Sequence, residues 1–167
     1  ATSDGVVTGY GTIDGKLVYI YAQDPQIFGG SVGEMHAKKI RRLYAFAVKM
    51  GAPVIGLIDC AGVRLAEATD ALFAFGALYR EQALASGVVP QIQAVYGLCG
   101  GSLAVSAALA DFTFMEKDAK LFFHAPNAIS GNTEAELDTA SAEFRSEESG
   151  TADFVGTQEE IAAGIRA

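Results

Sequence analysis

The chain has no tryptophan, only two histidines, two cysteines and four prolines in 167 residues. Two cysteines, Cys60 and Cys99, are too few for a disulfide framework or a zinc set, so no metal is expected. No apolar run reaches the ~18 residues that a membrane span needs, so no membrane insertion is expected. No basic segment precedes a hydrophobic one near Ala1, so no secretory leader is read, and cytoplasm is the expected location. Cations are scarce: 12 Lys and Arg against 20 Asp and Glu give a net charge of −8. The largest basic cluster is Lys38, Lys39, Arg41 and Arg42, which argues against nucleic acid as a partner. Three motifs are missing: the phosphate loop G-x-x-x-x-G-K-[ST], the dinucleotide fingerprint G-x-G-x-x-G and the hydrolase elbow G-x-S-x-G.

What is present is apolar, at 50% hydrophobic residues, with 19 glycines. One domain of 1–167 with a real core is expected, with enough apolar surface to face other subunits. Val6–Ala22 reads as a β-hairpin turning at Asp14-Gly15. Ser31 and Glu34 have capping-box spacing ahead of a helix over Gly33–Met50, which Gly51 and Pro53 stop. Val54–Ile58 is an unalternating apolar run, which suits a parallel strand covered on both faces. A helix over Thr69–Ala85 and a strand over Gln91–Tyr96 follow. The strand is expected to turn through 97–101 into a helix over Ser102–Ala110. Short strands are read at Phe112–Glu116 and Leu121–Phe123, then helices at Glu134–Phe144 and Thr157–Arg166, with the acidic run Glu143–Glu148 as a solvated helix face. Strand, loop and helix repeat, so the class is α/β with ligands at the strand C-terminal ends.

The central stretch is QIQAVYGLCGGSLAVSAALADF, Gln91 to Phe112. A strand, a glycine turn and a helix start together aim backbone N–H groups at one point. Such a point holds a phosphate or an oxyanion, or merely allows a helix to pack closely on a sheet; residue types alone leave these even. The loop Asp59–Arg64 follows the preceding strand, so it lies alongside; Gly62 offers another N–H there, and Arg64 either meets an anion or closes a salt bridge. Cys99 beside a helix start is expected to have a lowered thiol pKa, but a Cys-His hydrolase ranks low. His36 reads as a helix-surface residue and His124 as a hydrogen-bonder at a strand end. An oxyanion site without a clear acid, base or metal fits a thioester that becomes an enolate.

The runs GGSVGEMHAKKI, GAPVIGLIDCAGVRLAEATDAL and ASGVVPQIQAVYGLCGGSLAVSAALADFTFM resemble the biotin-dependent acyl-CoA carboxyltransferases. These include propionyl-CoA carboxylase β-type and sodium-pump decarboxylase α-type subunits. The resemblance covers about Ala22–Asn127, and the tail SAEFRSEESGTADFVGTQEEIAAGIR continues it. It implies a crotonase-like (ClpP/crotonase) spiral of ββα units, and the N-terminal, acyl-CoA-binding domain only. The carboxybiotin-binding domain would be absent, and Ala1 in place of Met leads us to expect a piece of a longer chain.

The resemblance also implies roles. The N–H groups of Gly101 and Ser102 would hold the thioester oxyanion. Ala61, Gly62, Val63 and Arg64, with Gly100 beside them, would line the CoA channel. The cofactor would be carboxybiotin on a carrier, the substrate a CoA thioester, and the partners that carrier and a carboxybiotin-binding domain or subunit in an oligomer. Two positions depart from the family pattern. Ala61-Gly62-Val63-Arg64 stands for Gly-Gly-Ala-Arg, and Gly101-Ser102 for two glycines. Both narrow the space over the acyl group. Two other readings stay open: a stand-alone crotonase-like hydratase, isomerase or hydrolase with Glu67 as its carboxylate, and a non-catalytic assembly subunit.

Overall fold

The computed structural model describes residues 4–128, 130, 133–135 and 137–167. A seven-stranded sheet runs β1 (Val6–Ile13), β2 (Lys16–Gln23), β3 (Val54–Cys60), β4 (Gln91–Gly100), β5 (Phe112–Glu116) and β7 (Phe154–Gly156), and β6 (Lys120–Phe122) pairs with β4. Its first two strands are the expected hairpin, β1 (Val6–Ile13) and β2 (Lys16–Gln23). Asp14 and Gly15 take φ of 50° and 79°, the double left-handed turn that matches strand twist. Every later pairing among these strands is parallel.

Helix α1 (Glu34–Met50) buries His36, Ala37, Ile40, Leu43, Tyr44 and Ala47, a stripe at helical spacing. Gly51 ends it at φ 66° and donates back to Ala47 and Val48. The Ser31–Glu34 capping box does not form. Gly33 is the N-cap, and the Glu34 N–H donates instead to the Glu67 carboxylate at 2.6 Å. Strand β3 (Val54–Cys60) lies between β2 and β4, and α2 (Ala68–Ala85) packs on α1.

Strand β4 runs from Gln91 to Gly100, past the expected turn at 97–101. The reason is tertiary. Ile92–Val95 pair with β5 (Phe112–Glu116), and Leu98–Gly100 pair with β6 (Lys120–Phe122). Where β3 bulges between Ile58 and Cys60, the Asp59 carboxylate accepts the Leu98 N–H at 3.0 Å. That carboxylate fills the space a side chain at Gly97 would take, so this glycine serves the strand rather than breaking it. Helix α3 is short, Ser102–Ala108, and stops before the expected Ala110.

The helix expected over Glu134–Phe144 is absent among the described residues; Glu136 lies outside them. Asp138 accepts the Ala140 N–H at 3.1 Å and pairs with Lys120, which also holds Glu134 at 3.1 Å. A turn tied to β6 therefore outcompetes helix. The acidic run instead contains one π-helical turn, Phe144–Glu148. A strand not foreseen, β7 (Phe154–Gly156), closes the far edge beside β5. Helix α4 (Gln158–Arg166) carries the expected Thr157–Glu160 capping box. The core gathers Tyr21, Tyr44, Phe75, Leu78, Leu103 and Met115 between sheet and helices. No helix among the described residues is long and apolar enough to cross a membrane.

Candidate active site

Three loops meet at the C-terminal ends of β2, β3 and β4. The Ala61 N–H donates to Gly29 at 3.1 Å, Val32 to Gly62 at 2.9 Å, and Arg64 to Val32 at 2.9 Å. On the other side Gly62 lies against Gly100; a Cβ on Gly62 would sit 3.0 Å from the Gly100 carbonyl oxygen. The expected juxtaposition of 59–64 with 97–102 is therefore present.

The donors differ from expectation. The Gly101 N–H is spent on the Phe122 carbonyl at 2.8 Å, so it does not face a ligand. The Gly62 N–H goes to the Cys60 sulfur at 3.2 Å. Within 59–64 and 97–102, the N–H groups of Ser102 and Val63 have no acceptor among the described residues. Each is aimed by the carbonyl on the far side of its own peptide plane. The Gly101 carbonyl accepts from Ala104 at 3.0 Å, so the Ser102 N–H points out of α3. The Gly62 carbonyl is held by Val32, so the Val63 N–H points away from that loop. Gly101 makes this possible with φ 57° and ψ −125°, which a side chain opposes. Helix α3 spans only seven residues, so its dipole adds little and the donors themselves matter.

Residues that sequence reading left out hold α3 in place. The Tyr79 hydroxyl donates to the Ser102 carbonyl at 2.5 Å. Ser106 donates to Gln82 at 2.8 Å, and Gln93 donates to the Ser106 carbonyl at 3.0 Å. All of Gln82, Gln93 and Ser106 are buried. A polar residue in an apolar run was the available signal.

Arg64 is corrected from ligand to brace. It is 8% exposed, and its guanidinium meets Asp4 at 2.8 Å, Glu67 at 2.9 Å and the Ser31 carbonyl at 2.8 Å. Its face covers Phe28 at 4.8 Å. No donor is left for a phosphate. Glu67 is corrected likewise: Arg64 and the Glu34 N–H occupy its two oxygens, so it is not a free base.

Cys99 is fully buried, and burial pushes its thiol far above the ordinary value, opposite to the expected activation. Burial also pushes Cys60 up, to about 11. Both thiols are buried, which argues against a Cys-His nucleophile. His124 is exposed just beyond β6.

His36 lies inside, not on the surface. Its Nδ1 meets the Asp4 carbonyl at 3.0 Å and its Nε2 the Gln23 side-chain amide at 3.1 Å. The amide nitrogen only donates, so Nε2 accepts and Nδ1–H donates. Burial lowers its pKa to about 4; the hydrogen bond to the Asp4 carbonyl opposes this, and the Arg64 charge adds to the lowering. The folded value is depressed, so the unfolded chain binds the proton first. This stability is complete above about pH 6.5 and is lost as pH falls toward about 4, a total of roughly 3 kcal/mol. Urea midpoints measured across that window should fall, and His36→Gln should flatten that part of the profile.

This sheet order, with β4 sharing one edge between two successive strands and an outward N–H at the start of the next helix, defines a crotonase-like α/β domain. The chain belongs to the carboxyl transferase domain family, whose model matches residues 1–165. It is 45% identical over 161 residues to the methylmalonyl-CoA decarboxylase subunit alpha of Veillonella parvula, covering 94% of this chain and 32% of that protein. It is 44% identical over 168 residues to a putative propionyl-CoA carboxylase beta chain of Bacillus subtilis, covering 98% and 33%. Among solved structures, the transcarboxylase 12S hexamer with hydrolyzed methylmalonyl-coenzyme A bound matches with a TM-score of 0.90 at 37% identity, over 97% of this chain and 32% of that one. The chain thus spans about a third of the length of these relatives.

Proposed function

We propose that this chain is the acyl-CoA-binding part of a biotin-dependent carboxyltransferase. The observation that carries the reading is the pair of unpartnered N–H groups, Ser102 and Val63, on adjoining loops of a carboxyl transferase family member. The thioester carbonyl oxygen is placed against Ser102, with Val63 as the second donor. Ala61, Gly62 and Gly100 form the narrow wall beside them, where close backbone contacts leave little room for added side chains. Gly101 acts by conformation, not as a donor, and Arg64 acts by bracing the loop.

Forming a bond at the α-carbon of a thioester passes charge to the carbonyl oxygen. Donors fixed beforehand suit that enolate better than the neutral carbonyl and lower the barrier. Carboxybiotin, when bound, supplies the carboxyl unit. Two other helix starts among the described residues are closed to an anion. The start of α1 is closed by the Glu67 carboxylate and that of α4 by Thr157 and Glu160. We place the biotin-holding role on a partner domain. The exposed Leu65, 82% accessible and next to the Val63–Arg64 loop, supports a covering partner there.

Calorimetric titration with propionyl-CoA and with its S-propyl thioether, which lacks the carbonyl, tests the reading. The thioester should bind about fivefold more tightly, the worth of one net hydrogen bond. Equal affinities would remove the carbonyl from the Ser102 site.

A further inference from the structure

Strand β1 is an edge of the sheet and lacks the usual protection of an edge. Its pairing with β2 runs unbroken from Val6↔Gln23 to Ile13↔Lys16, so it carries no bulge. From Val6 to Ile13 there is no charged residue and no proline. The pairing also says which groups face outward. The Asp24 N–H donates to the Gly5 carbonyl at 2.9 Å, so by alternation Val7, Gly9, Gly11 and Ile13 also turn their backbone groups toward β2. Thr8, Tyr10 and Thr12 therefore present their N–H and C=O groups to the open side, where they have no partner among the described residues.

A groove of about 540 Å³ lies beside that edge, between Thr8, Tyr10 and Tyr19 of the hairpin and Lys39, Arg42 and Phe46 of α1. The rings of Tyr10 and Tyr19 meet with centres 5.9 Å apart. Lys39 reaches the Val6 carbonyl at 3.4 Å, which sets its charge at the edge itself. The Arg42 guanidinium lies over Phe46 at 5.6 Å and enters no ion pair among the described residues. Two cations beside three aromatic rings, in a chain of net charge −8, suit an anionic partner.

The spacing fits a strand. Alternate side chains of a strand laid on β1 face α1 about 6–7 Å apart. Lys39, Arg42 and Phe46 are three and four residues apart on α1, which places neighbours about 5–6 Å apart. Two acids of the added strand would meet Lys39 and Arg42, and an apolar residue would meet Phe46 and Tyr10. A second copy fits worse: paired edge to edge about a twofold axis, two copies bring the same cations of α1 face to face.

We infer that the free edge of β1, with the groove along α1, is a docking site for an extended, acid-bearing segment of a partner protein, which joins the sheet as a further strand. The backbone groups of Thr8, Tyr10 and Thr12 supply the affinity. Lys39 and Arg42 supply the preference for acids.

The test titrates the full chain into labelled peptides, read by fluorescence anisotropy. The probes are nine-residue amidated peptides with Glu, Glu and Phe at alternate positions and Thr between, made in both sequence directions, and the same peptides with Lys for Glu. The better acidic peptide should bind about tenfold more tightly than its Lys counterpart, and high salt should shrink that ratio. Arg42→Glu, at an exposed position, should erase the preference. Thr8→Pro removes one outward N–H, leaves the β2 ladder intact and should weaken binding about fivefold. N-methylation of the peptide along one edge tests the same pairing without altering the protein, and should abolish binding. Amide exchange at Thr8, Tyr10 and Thr12 should slow in the complex. No binding, equal affinity for the acidic and Lys peptides, or indifference to N-methylation overturns the inference. Self-association of the chain that protects those same three amides makes a second copy the occupant, and overturns it too.

Discussion

Ser102→Pro is expected to lower kcat about 10²- to 10³-fold in a carboxyltransferase assembled with this chain. Removing one preorganised oxyanion donor costs about 2.7–4 kcal/mol at the transition state. Proline suits this position unusually well. Ser102 is the first residue of α3, where the N–H has no helical acceptor and a helical φ is one that proline favours. The Ala104 bond to Gly101 and the Tyr79 bond to the Ser102 carbonyl both remain possible. The substitution therefore deletes the donor and little else. Because the ground-state carbonyl gains less from the donor than the enolate does, KM should move far less than kcat. Ser102→Ala keeps the N–H and should stay near wild-type rates. If alanine and proline lower kcat equally, the hydroxyl matters and the N–H does not.

The sequence identified the neighbourhood of this site better than its donors. The hairpin, α1, β3 and α2 follow from local chemistry: a two-residue turn, a helical apolar stripe, an unbroken apolar run. The end of β4 does not. Glycines at 97, 100 and 101 read as a turn, whereas Asp59 and β6 draw those residues into the sheet. The Gly101 N–H was misassigned for the same reason. Its acceptor, Phe122, comes from a strand that local pattern cannot place beside it. His36 follows Met35, and the helical period alone does not say which of the two turns inward; Asp4 and Gln23, from the hairpin ends, decide it. Arg64 was offered two readings, and only Asp4, Glu67 and Ser31 together choose the brace. Three-residue β7 is too short for any periodic signal. Family resemblance supplied the architecture that periodicity could not, yet it still attached a donor role to the wrong N–H. Hydrogen-bond accounting, residue by residue, makes that correction.

Gly30→Ala is expected to cost about 4 kcal/mol or more, and to take the site with it. Gly30 has φ 66°, which alone strains an alanine by about 1–2 kcal/mol. Its Cβ would also fall well inside van der Waals contact with the Asp59 carbonyl oxygen, with the Asp59 carbon at 3.2 Å and the Cys60 Cα at 3.3 Å. These are backbone atoms at the bulge of β3, so no rotamer change relieves them. Relief must separate the Gly29–Gly30 loop from 59–62, breaking the Ala61–Gly29 bond and freeing the Val63 loop. Gly51→Ala is the matched control. It has the same φ of 66° with nothing within 4 Å, so only the strain applies. At about 2–4 °C per kcal/mol for a chain of this size, Gly30→Ala should lower Tm by about 8–16 °C. Gly51→Ala should lower it by about 2–8 °C. Thioester affinity should survive the second change and not the first, since only Gly30 touches a loop of the site. Equal shifts in Tm would mean that the loops yield without cost, and that the close approach of Gly30 to Asp59 does not hold the donors in place.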